Sequence, residues 1–293
     1  MNPATTAIAV PTTRFADFFE LTKPRITFLV LVTAAVGYTV GLSGPFEPAV
    51  FAALIGGTAL VSGGASALNQ YWEREADGRM HRTRSRPLPS GRVAPGDALA
   101  LGLFLSAAGL GLLASINGLT YFLGIAALGS YVVVYTPLKR VTSLCTVVGA
   151  LPGAIPPLMG WAAARGSLTS GGWALFAILF LWQLPHFLAI GWIYREDYAR
   201  GGFPMLTVMD PDGRSTARQM ILYCAALLPV TLAAGALSHA GVVYLTGAVA
   251  LGFAFLAGSV RFAWTKSIPA ARRLFLISIV YLPALLALMV FDR

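Results

Sequence analysis

Nine apolar stretches divide the sequence between positions 26 and 290. Each is close to the roughly 20 residues a helix needs to cross a ~30 Å hydrocarbon layer. They run from Ile26 to Leu42, Ala49 to Leu68, Ala98 to Ser115, Tyr121 to Tyr135, Val141 to Trp161, Gly172 to Ile193, Met220 to Leu237, Val242 to Val260 and Leu274 to Val290. Only 11% of the 293 residues are charged, against roughly 25% in soluble domains. The expectation is an all-α integral membrane protein with nine transmembrane helices and the lipid bilayer as its solvent. A tail with an interfacial segment over 1–20 precedes a single polytopic domain over 21–293.

The net charge of +9 is explained by topology and does not call for nucleic acid as a partner. With alternate loops assigned to opposite sides, nineteen of the 21 lysines and arginines fall on the side of the N-terminal tail. Only Arg165 and Arg293 fall on the other. The positive-inside rule then puts the N-terminus and both long polar loops in the cytoplasm and the C-terminus outside. Met1 to Thr13 lack the basic start and apolar core of a cleaved signal peptide, which points to a bacterial inner (cytoplasmic) membrane. Phe15, Phe18 and Phe19, interspersed with Arg14, Asp17 and Glu20, read as a short interfacial helix. Small residues such as Gly37 and Gly41 allow close helix approach. Prolines at 152, 156, 157 and 185 inside spans suggest helices arranged around a central chamber. Cys145 and Cys224 lie in apolar segments without ligand-spaced partners and read as buried thiols.

The second span ends in Asn69-Gln70-Tyr71-Trp72-Glu73-Arg74-Glu75-Ala76-Asp77. Asn69, Glu73 and Asp77 recur every four residues, so on a helix their oxygens share one stripe. Glu75 and Arg79 fall on another face and can pair there. Arg82, Arg84 and Arg86 follow, and Pro87 and Pro89 are read as holding the chain extended. One reading is a solvated helix end whose acids balance nearby arginines. The other is a seat for Mg²⁺ which, with the guanidiniums, holds a diphosphate ready to leave an organic chain.

The sixth span carries Trp182-Gln183-Leu184-Pro185-His186-Phe187 and leads into Tyr194-Arg195-Glu196-Asp197-Tyr198-Ala199-Arg200. His186 is the one histidine inside a span, and an intramembrane ionisable group is a functional candidate by default. It could equally be a neutral imidazole bonded to the Leu181 carbonyl that Pro185 frees. Glu196 and Asp197 lie at the depth of the first stripe and are expected to add a carboxylate to the same metal site.

These residues resemble the UbiA superfamily of intramembrane prenyltransferases, and within it the branch that farnesylates haem. The likeness runs in order from 21 to about 210. It is carried by Leu21-Thr22-Lys23-Pro24-Arg25, the Asn69 stripe, Arg82-Thr83, Arg86-Pro87-Leu88, Tyr135-Thr136-Pro137-Leu138-Lys139-Arg140, Pro156-Pro157-Leu158-Met159-Gly160-Trp161, Pro185-His186-Phe187, Asp197-Tyr198 and Pro204-Met205-Leu206. The resemblance implies that farnesyl diphosphate and protohaem IX are the substrates and Mg²⁺ the cofactor. It implies Asn69, Glu73, Asp77 and Asp197 as metal-binding and catalytic residues, with Lys23, Arg25, Arg82, Arg86, Lys139 and Arg140 on the diphosphate and His186 on the haem. A haem A synthase or terminal oxidase would receive the product. Glu73 and Glu75 stand where the family commonly has aspartate, and Cys145 where it often has asparagine.

An allylic cation needs shelter from water and aromatic faces; Tyr71, Trp72, Trp182 and Phe187 are candidates to supply the faces. Two other readings are a prenyltransferase acting on a quinone precursor or another tetrapyrrole, and a non-catalytic haem-binding or transport protein. The latter expects polar groups across the membrane midplane, whereas here they crowd at one face.

Overall fold

The structure, a computed structural model, describes residues 14–238 and 240–292. The tail Met1 to Thr13 and Arg293, both of which figure in the sequence reading, lie outside the described residues, as does His239. The described residues form helices joined by turns, without a strand. In chain order these are α1 (Arg14–Leu21), α2 (Pro24–Gly41), α3 (Pro48–Arg79), α4 (Pro95–Ala114) and α5 (Gly118–Gly129), then a π-helical turn (Ser130–Tyr135) running into α6 (Thr136–Leu138). They continue with α7 (Cys145–Arg165), α8 (Ser170–Ile193), α9 (Arg195–Gly201), α10 (Leu206–Met209), α11 (Arg214–Leu237), α12 (Val242–Thr265) and α13 (Ile268–Phe291). Among the described residues nine spans are long and apolar enough to cross a membrane, with α5, the π turn and α6 forming one of them. This is a multi-pass membrane protein.

Local chemistry sets many of the boundaries. Pro24, Pro48 and Pro95 open their helices, where a missing N–H costs nothing. Asn117 caps α5 by accepting from the Thr120 amide at 2.8 Å, so the helix starts at Gly118. The amphipathic segment after residue 13 is helical as expected, and its Phe15 is 78% exposed. Helix α3 extends well beyond the expected end at Leu68. Its 32 residues span roughly 48 Å at 1.5 Å per residue, more than the ~30 Å apolar layer. One continuous helix therefore carries both the second apolar stretch and the polar stripe that follows it.

Helix α2 lies against α3 and α7, α3 against α4, α8 against α7, α11 and α13, and α13 also meets α2. The α2–α7 contact is backbone to backbone. A Cβ on Gly37 would land on the Pro157 carbonyl, and one on Gly160 on that of Ala34. Glycine at both positions lets the helices close where burial from water offers no drive. Pro152, Pro156 and Pro157 sit inside α7 and Pro185 inside α8. Cys145 and Cys224 are buried free thiols.

The segment after α3 departs from the expected extended chain. Thr83 and Arg84 amides both bond the Met80 carbonyl, Arg86 bonds Thr83, and Val93 bonds back to Pro87. The prolines therefore sit in consecutive tight turns, a use of their fixed φ as natural as extension. Arg92 ties this coil to α1, with Nε 2.7 Å from Asp17 Oδ1 and Nη2 3.0 Å from Glu20 Oε2.

Candidate active site

The stripe faces inward. Asn69, Glu73 and Asp77 are 2%, 3% and 1% exposed, while Glu75 is exposed and lies 3.8 Å from Arg74 rather than pairing with Arg79. Each member of the stripe meets its own cation. Lys23 Nζ donates to Asn69 Oδ1 at 3.0 Å, Lys139 Nζ to Glu73 Oε2 at 3.0 Å, and Arg86 Nη1 to Asp77 Oδ2 at 2.7 Å. The three cations come from the α1–α2 turn, the segment after α6 and the coil after α3. The solvated-helix-end reading fails on this burial.

Backbone geometry aims the partners. Lys23 precedes Pro24 in the left-handed region at φ 49°, an uncommon conformation for a residue with a side chain. Gln70 fixes that turn by donating to the Leu21 carbonyl at 2.9 Å. Opposite, the π turn brings Thr136 to the stripe: its hydroxyl donates to the Tyr131 carbonyl at 2.8 Å and accepts from Asn69 Nδ2 at 3.1 Å. π-Helical turns recur at functional sites. Nothing in the sequence marks this one, so Thr136 was missed as a partner of Asn69.

Burial, and then the nearby Arg86 guanidinium, holds the Lys23 ammonium down to about 7, against the pull of Glu73. At Lys139 burial also opposes the charge, but Glu73 outweighs it and the ammonium is held above the ordinary lysine range. Lys139 Nζ lies 4.7 Å from the Phe203 ring centre and 5.5 Å from that of Tyr135. Those rings, with Tyr131 tilted at 30° and 5.4 Å from Tyr135, are the aromatic walls beside the stripe. Of the expected aromatics, Trp72 is 52% exposed, Tyr71 stacks on Arg74, and Trp182 and Phe187 pack around His186.

Asp197 lies between α9 and the coil after α3. Its Oδ1 accepts from the His81 amide at 3.0 Å and its Oδ2 from the Arg82 amide at 3.1 Å, and Arg200 pairs with it as well. Burial works against its charge, yet the Arg200 bond and the two amides hold the carboxyl below its usual range. Three of the carboxylate's acceptor sites are engaged in this way, and Oδ2 keeps one open. Asp197 therefore clamps the coil after α3 to α9. Glu196 is exposed.

The remaining expected cations separate. The Arg82 guanidinium lies over the Tyr194 and Tyr198 rings at 5.3 and 5.9 Å. Arg140 donates to the Trp72 carbonyl at 2.7 Å and braces α3. Arg25 is exposed. His186 bonds Ser278 on α13, not Leu181, with Nδ1 2.7 Å from Oγ.

Two features suit a cation in the stripe. Asp77 Oδ1 and Glu73 Oε1 are both buried without a hydrogen-bond partner, although the Lys139 ammonium lies 2.9 Å from the latter. Buried carboxylate oxygens left unpaired are costly unless something is meant to reach them.

A long helix presents buried acids, each paired with a lysine or arginine, inside a bundle with nine candidate membrane spans among the described residues. The chain matches the UbiA prenyltransferase family over residues 30–281 and belongs to that family. It is 49% identical to the protoheme IX farnesyltransferase of Solibacter usitatus (strain Ellin6076), covering 94% of this chain and 98% of that protein. The protein of the same name from Myxococcus xanthus (strain DK1622) is 46% identical, with 95% of each covered. Among solved structures, that of digeranylgeranylglyceryl phosphate synthase superposes with a TM-score of 0.81 at 14% identity, covering 95% of this chain and 98% of the other. A UbiA homolog from Archaeoglobus fulgidus bound to GPP and Mg²⁺ gives 0.65 at 13% identity, covering 93% and 99%. At those identities the likeness is one of fold.

Proposed function

We propose that this chain transfers the farnesyl group of farnesyl diphosphate to a vinyl group of protohaem IX, with addition of water, giving haem O and diphosphate. The names of its relatives support the acceptor. The observation that carries the chemistry is the buried acid stripe with one cation on each member. Asn69, Glu73 and Asp77 would hold Mg²⁺, whose chemistry when bound is to offset diphosphate charge so that it leaves readily.

Lys23, Arg86 and Lys139 are placed to pass from the stripe's oxygens to those of the diphosphate, giving charge-assisted bonds to the leaving group. Arg82, Arg25 and Arg140 are assigned secondary parts: Arg82 at the rim formed by Tyr194 and Tyr198, Arg25 at the exposed turn, Arg140 as a brace on α3. Asp197 keeps the Arg82–Arg86 coil in place, a positioning role. The C–O bond of the farnesyl ester breaks with its electron pair going to diphosphate. The vinyl π pair forms a carbon–carbon bond to the allylic carbon. Water adds to the resulting cation beside the porphyrin and loses a proton. Tyr131, Tyr135 and Phe203 offer aromatic faces to the allylic cation, and the apolar bundle withholds water until the new bond exists.

The charge asymmetry of the loops supports a cytoplasmic-facing site in a bacterial inner membrane, and 21–293 is read as one catalytic domain. In detergent, with farnesyl diphosphate and Mg²⁺ supplied, diphosphate release should depend on added protohaem. Release driven by an aromatic acid acceptor and not by protohaem would assign the chain to quinone-precursor chemistry.

A further inference from the structure

We propose that Ser278 is a positioning residue that locks His186 in its Nδ1–H tautomer, so that Nε2 is the nitrogen presented to the iron of the porphyrin substrate. This rests on the reading of protohaem as the acceptor.

Counting protons fixes the tautomer. Ser278 Oγ lies 2.6 Å from the Phe275 carbonyl, which can only accept, so the single hydroxyl proton is committed there. The same oxygen lies 2.7 Å from His186 Nδ1 and must accept from it. A neutral imidazole has one N–H, so Nε2 carries a lone pair, and among the described residues it has no hydrogen-bond partner. A donor bond from the far nitrogen fixes ring orientation and makes the ligating nitrogen more basic.

Two aromatic side chains also pack against the ring. Trp182 stacks on it at 4.9 Å and 25°, and Phe275 lies at 5.0 Å and 32°. Trp182 is itself pinned to the same residue, its Nε1 donating to the Ser278 carbonyl at 2.8 Å. Ser278 therefore fixes both the imidazole and its stacking partner, through different atoms. Mg²⁺ favours oxygen ligands whereas imidazole suits iron, so the ring does not belong to the diphosphate half of the site. Ser278 lies inside an apolar span, where nothing in the sequence singles it out.

Ser278→Ala removes the acceptor of the Nδ1 proton and keeps the carbonyl that holds Trp182. Ferrous protohaem is titrated into the purified full chain without prenyl substrate, and the iron–histidine stretch is read by resonance Raman. Wild type is expected to give that band and His186→Ala to lose it. Ser278→Ala is expected to bind protohaem roughly tenfold more weakly, as loss of an outer-shell partner does, with the band moved to lower frequency. The KM for farnesyl diphosphate should stay unchanged, and Ser278→Thr, which keeps a hydroxyl, should restore affinity and band. A Ser278→Ala protein with wild-type affinity and band overturns the proposal, as does equal loss of both substrates without rescue by threonine. A wild-type protein that binds no protohaem but prenylates another acceptor overturns the acceptor reading instead. If wild type farnesylates protohaem and the iron–histidine band is absent or survives His186→Ala, the acceptor stands and the ligand assignment falls.

Discussion

Lys139 Nζ stands 2.9 Å from Glu73 Oε1 and 3.0 Å from Oε2, so one ammonium serves both oxygens of a carboxylate buried in the bundle. The two residues are 66 positions apart and join the helix bearing the stripe to the end of the fourth span. Removing one partner of such a pair leaves an uncompensated charge and costs about 3–5 kcal/mol. Lys139→Ala is therefore expected to lower the thermal midpoint in detergent, and Glu73→Gln added to it to recover most of the loss. Mg²⁺ should also recover part of the loss in Lys139→Ala, because Glu73 can then share the ion's charge. Thermal unfolding with and without Mg²⁺ reads all three.

Asp77 tests the metal seat. Its Oδ2 holds Arg86 and its Oδ1 has no partner. Asp77→Ala should cut prenyl transfer about 100-fold or more, the scale on which lost transition-state electrostatics operate. The protein should stay folded, since the partly exposed Arg86 can turn to water. Binding of Mn²⁺ as a magnetic surrogate, followed by electron paramagnetic resonance, should weaken in parallel; wild-type metal binding in this variant would remove Asp77 from the seat.

Asp197 separates a clamp from a ligand. Asp197→Ala takes away the acceptor for the His81 and Arg82 amides. Hydrogen exchange at those amides should accelerate, and the KM for farnesyl diphosphate should rise more than kcat falls. Metal affinity should stay at the wild-type level. Unchanged exchange with weakened metal binding would return Asp197 to the ligand set.

These residues mark where the sequence is legible and where it is not. Hydropathy and the count of charges are dense local signals, and they gave nine spans whose ends are displaced by up to 11 residues, where α3 runs on from Leu68 to Arg79. The four-residue spacing was enough to place Asn69, Glu73 and Asp77 on one face. Their partners were not legible: Lys139 meets Glu73 from the segment that follows a π turn and α6, and that turn leaves no mark on composition. Pro87 and Pro89 were read as extension, yet proline's fixed φ serves a turn equally well, and only the bonds to Met80 and Pro87 decide. Asp197 has the charge of a ligand. That its oxygens go to two main-chain amides depends on how the coil folds back from α3. Ser278 is a single hydroxyl in an apolar helix, a common feature without meaning until His186 is seen beside it.

Gly37 provides a test of the scaffold apart from the chemistry. Gly37→Ala pushes a methyl into the Pro157 carbonyl at the α2–α7 crossing. Overpacking of this kind costs about 1–3 kcal/mol or more, so the thermal midpoint should fall. Specific activity per folded molecule should change far less than in Asp77→Ala.

The central claim, that this site joins a farnesyl chain to haem, is tested most directly by the mass of the product. Purified protein is incubated with protohaem, farnesyl diphosphate and Mg²⁺, and the extracted porphyrins are analysed by mass spectrometry. The expected result is a haem heavier by one hydroxyfarnesyl addition, absent from Asp77→Ala. Unaltered protohaem, recovered while a prenylated aromatic acceptor accumulates in a parallel reaction, would contradict it.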